Sequence, residues 1–198
     1  MEKTVKITRK TKETSISVEF GLGPYCGENV IASGVPFFDH MLAAFARHGR
    51  FYLNLQCTGD LQVDAHHTME DIGLALGQAG KNALGDKRGI TRFGAAAVPL
   101  DESLARVVVD LSGRPYLAWR AIFPEDLVAG ISCRLFREFF QAWVNTSGTT
   151  LHVDLLFCEE NHHGLEAIFK SFGRALRQAV TPDPTLGEEI PSTKGILA

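Results

Sequence analysis

His66-His67-Thr68-Met69-Glu70-Asp71 and His162-His163-Gly164-Leu165-Glu166-Ala167 are the two stretches from which the rest of this chain can be read. In each, a glutamate follows four residues after the first histidine of a doublet. Seven histidines placed at random along 198 residues would give roughly a quarter of one doublet, so two doublets with the same following glutamate indicate a repeated design. On a helix, residues four apart share a face, so His66 with Glu70 and His162 with Glu166 each offer an imidazole nitrogen and a carboxylate oxygen to one point. Such a pair is a natural chelate for a metal ion. Adjacent helical residues point about 100° apart, so the second member of each doublet faces elsewhere. It serves either as a supporting or core residue or as a ligand to a different ion. The repetition favours the latter, with two helices related by a two-fold axis exchanging histidines to make two similar sites.

Working outward, the repeat extends over nearly the whole chain. Ile7-Thr8-Arg9 leads into the alternating stretch Ile16 to Gly21, and Ile90-Thr91-Arg92 leads into Ala105 to Gly113. Each is followed by a Gly/Pro/Tyr turn signal. A helix then runs over about residues 37–47, with Phe38, Met41, Leu42 and Phe45 on one face. Its counterpart covers about 132–144, with Leu135, Phe136, Phe139, Phe140 and Trp143. A strand comes next in each half (about 51–56 and 150–156), and the doublets open second helices reaching about Leu84 and Val180. The expectation is an α/β fold of the α+β two-layer type. Residues 1–90 and 91–198 form similar halves of one compact unit, each a small sheet with two helices on one face. The halves should pack helix against helix about a pseudo-two-fold axis. So thin a core per half also predicts self-association.

Composition narrows the function. Hydrophobic residues make up 45% and charged residues 22% of the chain, as in an ordinary globular domain. A net charge of −3 gives no field for nucleic acid. No apolar run nears the ~20 residues of a membrane span, and Met1-Glu-Lys-Thr-Val-Lys lacks a signal-peptide core, so the expected location is cytoplasmic. Cys26, Cys57, Cys133 and Cys158 form no Cys-x-x-Cys pair and read as buried thiols.

The first helix of each half should add a ligand: His40 in Phe37-Phe38-Asp39-His40-Met41, and Glu138 at the matching place in Phe136-Arg137-Glu138-Phe139-Phe140. Mixed imidazole and carboxylate donors without thiolate suit Mn²⁺, Fe²⁺, Co²⁺ or Zn²⁺ better than Mg²⁺ or Ca²⁺. Asp39 and Asp71 could orient a ligand histidine from behind. His48, outside the repeat, and His152, on an alternating strand, read as ordinary surface or core histidines.

The paired His-His-x-x-Glu segments, Phe-Phe-Asp-His-Met, Asn145-Thr-Ser-Gly148 and the ending Pro191-Ser-Thr-Lys-Gly195 together resemble imidazoleglycerol-phosphate dehydratase. The likeness runs from about Thr8 to Gly195. It implies that D-erythro-imidazole-glycerol phosphate loses water to give imidazole-acetol phosphate, a step of histidine biosynthesis. It implies two Mn²⁺ ions per active site, a shell of 24 subunits and active sites between neighbours. His40, His66, His67, Glu70, His162, His163 and Glu166 match the family's ligand positions, whereas Glu138 stands where the family commonly has histidine. Glu13 matches a substrate-contacting glutamate and, with Glu166, is expected to handle protons. Arg92 and Arg114 match phosphate contacts; Lys170, Ser192, Thr193 and Lys194 join them as expected substrate-binding residues. Cations on both ring nitrogens would let the imidazole exist as an imidazolate and expel hydroxide through a diazafulvene-like species.

Two other classes compete. A binuclear phosphate-ester hydrolase would be richer in aspartate, and no Asp-x-Asp signature appears. A metal-storage shell would need no arginine pair placed for an anion.

Overall fold

In the computed structural model, residues 4–197 are described. The first half comprises β1 (Thr4–Lys10), β2 (Thr14–Gly21), β3 (Val30–Ala32), α1 (Pro36–Gly49), β4 (Tyr52–Gly59) and α2 (His66–Leu84). The second comprises β5 (Phe93–Leu100), β6 (Ser103–Asp110), β7 (Tyr116–Arg120), the short β8 (Leu127–Val128) and β9 (Ile131–Ser132), α3 (Cys133–Ser147), β10 (Thr150–Phe157) and α4 (Asn161–Val180). Each half supplies one four-stranded sheet, in the orders β1-β2-β4-β3 and β5-β6-β10-β7. Both carry the same departure from the antiparallel pattern, since β3 runs parallel to β4 and β7 parallel to β10.

Alternation builds these sheets. Thr14, Ile16, Val18 and Phe20 of β2 are buried, as are Ser103, Ala105, Val107 and Val109 of β6, so one face of each sheet is covered by helices. The helices of one half then meet those of the other: α2 packs on α3 and α1 on α4. The core between the two sheets is aromatic, with Phe20, Phe38, Phe45, Phe136, Phe139, Phe140, Trp143, Phe169 and Phe172 all buried and meeting mostly edge to face.

Two glycines set how closely the helices approach. Gly77 and Gly173 each stand eleven residues after the first histidine of their doublet. A Cβ on Gly77 would lie 2.6 Å from the Trp143 carbonyl oxygen of α3, and one on Gly173 would lie 2.4 Å from that of Phe45 in α1. Bare backbone at these positions lets both helix pairs pack closely.

Several sequence expectations need correction. The parallel edge strands β3 and β7, and β5 in Phe-Gly-Ala-Ala-Ala-Val-Pro-Leu, carry too little alternation of large residues to be read from pattern. All four cysteines are free, but only Cys133 is buried and Cys26 is exposed. Cys26 lies in the loop between β2 and β3.

Candidate metal centre and anion site

Both doublets occupy a first helical turn, and a carboxylate holds each there. Asp64 accepts the backbone N–H of His66 at 2.7 Å. Glu160, the N-cap of α4, accepts those of His162 and His163, both at 2.9 Å. Acidic side chains are the favoured partners for these otherwise unmatched N–H groups.

At the α1–α4 seam His40 of the first half meets the doublet of the second. His40 Nε2 lies 3.0 Å and His162 Nε2 3.1 Å from the same oxygen of Glu166, Oε2. Lys170, one turn further along α4, places its ammonium 2.7 Å from the other oxygen. Burial alone would raise the Glu166 carboxyl, but hydrogen bonds from Lys170 and His40 outweigh it and hold the group at about 2. Phe37 packs edge-on against the His162 ring, 5.1 Å between centroids.

The second histidine of each doublet points elsewhere, with the two rings of the doublets 57° and 80° apart in plane. His163 Nδ1 lies 2.9 and 3.2 Å from the two oxygens of Glu102. His67 Nδ1 lies 3.0 Å from Asp60 Oδ2, with Glu13 Oε2 at 3.8 Å. Carboxylates only accept, so Nδ1 is the donor in each case and Nε2 is left to face outward. These hydrogen bonds raise both imidazoles above the ordinary histidine range.

At the α2–α3 seam the arrangement is looser. His66 Nε2 and Glu70 Oε2 stand 3.5 Å apart. Glu138, the ligand expected from α3, takes a 3.0 Å ion pair with its neighbour Arg137. An adjacent guanidinium is a partner that His40 does not have. The expectation for Asp39 and Asp71 is also corrected. Asp39 accepts the Ser33 N–H at 2.8 Å, and Asp71 binds Arg9 and Thr14. Asp39 ties α1 to the loop after β3 and Asp71 ties α2 to its sheet, and the carboxylates behind the histidines are Asp60 and Glu102.

His48 was missed. It lies two turns beyond His40 on α1, a spacing that returns to nearly the same face and was the available signal. Burial first, then Lys170 and Arg174, hold its imidazole below the ordinary histidine range. It borders a groove of about 610 Å³ that Arg50, Arg174 and Arg177 also line. A lane of cations thus descends from Glu166 past Lys170. His152 keeps its ordinary reading, with Nδ1 3.3 Å from an Arg120 nitrogen on the outer sheet face.

The expected phosphate residues gather at the opposite end of the chain's own helices. Arg92 is clamped to Asp110 at 2.8 Å and donates to the Pro191 carbonyl at 2.7 Å, while Arg114 stands 4.0 Å from Asp110. The tail continues through a turn in which the Lys194 N–H reaches Ser192 Oγ at 3.2 Å, with Thr193 between them and exposed. Arg92 also gives its backbone N–H to the Ala179 carbonyl near the end of α4. Glu166 and Ala179 are thirteen residues apart on that helix, which at 1.5 Å rise per residue is about 20 Å.

The donor set fits a divalent cation of the transition series. His40, His162 and Glu166 offer imidazole nitrogen and carboxylate oxygen within 4.8 Å of one another, at the mouth of a helix pair and with no thiolate among them.

The chain is similar to known proteins over most of its length. A family model described as imidazoleglycerol-phosphate dehydratase matches residues 33–176. The enzyme of that name from Nitrosomonas eutropha is 54% identical over 97% of this chain and 98% of its own. That from Azotobacter vinelandii is 50% identical over 99% of each. Among solved structures, those from Staphylococcus aureus and Pyrococcus furiosus each superpose with a TM-score of 0.82 at 37% identity, covering 91% and 96% of this chain and 99% and 100% of their own.

Proposed function

The chain belongs to the imidazoleglycerol-phosphate dehydratase family, and we propose that it carries out that dehydration, a step of histidine biosynthesis, with two divalent cations, Mn²⁺ by family resemblance. The hydrolase and storage readings give way to this one. The observation that carries the metal reading is the convergence of His40 and His162 on one oxygen of Glu166. One cation would be held by His40, His162 and Glu166, the other by His66, Glu70 and Glu138, with His67 and His163 exchanged between subunits. Bound there, such cations would supply Lewis acidity toward the substrate's imidazole nitrogens, favouring the imidazolate and so the loss of hydroxide from the carbon next to the ring.

The protein residues divide the remaining work. Glu166 is held as a firmly ionised carboxylate by Lys170 and His40, which makes it a weak base and suits it to ligation. Glu13, in the turn between β1 and β2, stands beside His67 with a half-exposed side chain. We assign it the proton on the second side-chain carbon, the one beyond the carbon that loses its hydroxyl, within reach of the head of α2. Beyond Glu166, Lys170 and His48 face the direction in which the substrate's phosphorylated arm would extend.

Arg92 meets α4 at Ala179, about 20 Å along the helix from Glu166 of the same chain, too far for one three-carbon side chain to span. The tail that carries Ser192, Thr193 and Lys194 follows Pro191 beside Arg92. We infer that a neighbouring subunit supplies them, so that sites form only on assembly. The family resemblance implies 24 subunits, and the cytoplasm is the proposed location; no helix among the described residues is long and apolar enough to cross a membrane.

A coupled assay for imidazole-acetol phosphate on the Glu13→Gln variant tests the assignment. Turnover should fall by at least a hundredfold with metal content unchanged; native turnover would remove Glu13 from the chemistry.

A further inference from the structure

The two halves hold the second histidine of their doublets by different means. Asp60 is the first residue after β4, and Cys158 is the first after β10. Asp60 reaches His67 Nδ1 at 3.0 Å with Oδ2, and its other oxygen is buried without a hydrogen-bond partner among the described residues. Cys158 cannot do the same, because its thiol is turned to the Glu160 carbonyl at 3.3 Å. In the second half Glu102 takes over, with both its oxygens within 3.2 Å of His163 Nδ1. Glu102 stands in the β5–β6 turn just as Glu13 stands in the β1–β2 turn. Of these two matching glutamates, one is locked onto its histidine. The other is 3.8 Å from His67, outside hydrogen-bond range, with 52% of its side chain exposed.

We propose that Asp60 and Glu102 are positioning residues. They hold the Nδ1–H of His67 and His163 and so aim each Nε2 outward as a ligand atom, and the hold of Asp60 on His67 leaves Glu13 free to meet substrate. This rests on the proposed metal-dependent reading of the site. A carboxylate behind a ligand imidazole fixes its tautomer and ring plane and raises its donor strength, and losing one typically costs 10–100-fold in metal affinity. The residue swap at the strand ends accounts for the asymmetry. Where an aspartate ends the strand, the turn glutamate is released for chemistry; where a thiol ends it, the glutamate is spent on orientation.

The test uses the full-length assembled protein and three variants, Asp60→Ala, Asp60→Asn and Glu102→Ala, with exposed Glu159→Ala as control. In metal-free protein, ¹⁵N-histidine spectra should assign an Nδ1–H tautomer to His67 and His163. Asp60→Ala should lose it at His67 alone and Glu102→Ala at His163 alone. Mn²⁺ titrations followed by electron paramagnetic resonance should show a tenfold to hundredfold loss of affinity in both alanine variants. Partial recovery is expected in Asp60→Asn, which keeps an acceptor, and no change in the control. If the assembled native protein failed to bind Mn²⁺, the metal reading would fall, while the tautomer spectra would still decide whether these carboxylates orient the rings. Native spectra and native affinity in both alanine variants would overturn the positioning roles. For Glu13, Asp60→Asn should reduce kcat less in a Glu13→Gln background than in the native one; fully additive losses would overturn that part.

Discussion

The Lys170 ammonium sits 2.7 Å from one oxygen of Glu166, while the other oxygen of that carboxylate faces both His40 and His162. Lys170 therefore does two things at once. It neutralises a half-buried carboxylate and begins the cationic lane toward His48. Replacing it with Gln should raise KM for the phosphorylated substrate at least tenfold while leaving the fold intact, as read by steady-state kinetics and circular dichroism. An unchanged KM would remove Lys170 from substrate binding.

The 20 Å between Glu166 and the Arg92 cluster predicts complementation between chains. Glu166→Gln and Arg92→Gln should each be nearly inactive alone. Dissociated, mixed and reassembled, they should regain roughly a quarter of native activity, because about that share of random pairings joins two intact half-sites. No recovery in verified mixed assemblies would mean that each chain uses only its own residues.

Gly173 faces the Phe45 carbonyl oxygen with no room for a methyl group. Gly173→Ala must push α1 and α4 apart, which by the cost of overpacking is about 1–3 kcal/mol. For a chain of this size that corresponds to a fall in Tm of roughly 3–10 °C, measurable by calorimetry. A native Tm would show that the helix pair is less tightly set than described.

Asp154 of β10 is buried and paired with Arg106 and Arg120 on the outer face of the second sheet. The Arg120 hydrogen bond, then that of Arg106, holds its carboxyl below the usual aspartate value against the opposing effect of burial. Because the folded value is depressed, the stabilisation is fully present above the unfolded value near 3.9 and fades as pH falls through the folded one. Asp154→Asn should therefore be less stable than the native chain at pH 7, by about 1–3 kcal/mol. Denaturant melts should show that gap closing below about pH 4; a gap that does not change with pH would contradict the pairing.

Much of this was legible in the sequence because helices announce themselves over several turns. The doublets, their glutamates and the apolar stripe from Phe38 to Phe45 each repeat a spacing that only a helix explains. What escaped notice depends on partners far along the chain. Asp60 and Glu102 are a strand-end aspartate and a turn glutamate, with nothing local to mark them as holding histidines. Asp39 and Asp71 lie beside the histidines in sequence, yet a helix turns them toward the sheets. Glu138 matches His40 in the repeat, but it also carries an ion pair with Arg137, which has no counterpart beside His40. The edge strands β3 and β7 owe their existence to pairing with β4 and β10, which no short stretch of sequence encodes.

The most direct test of the account strips the assembled protein with a chelator, measures residual turnover of imidazoleglycerol phosphate, and refills it with Mn²⁺ while counting ions per chain. Turnover should vanish on stripping and return in step with uptake of two ions per chain. Full activity in metal-free protein would contradict the claim that imidazole and carboxylate donors at the helix mouths hold the cations on which the dehydration depends.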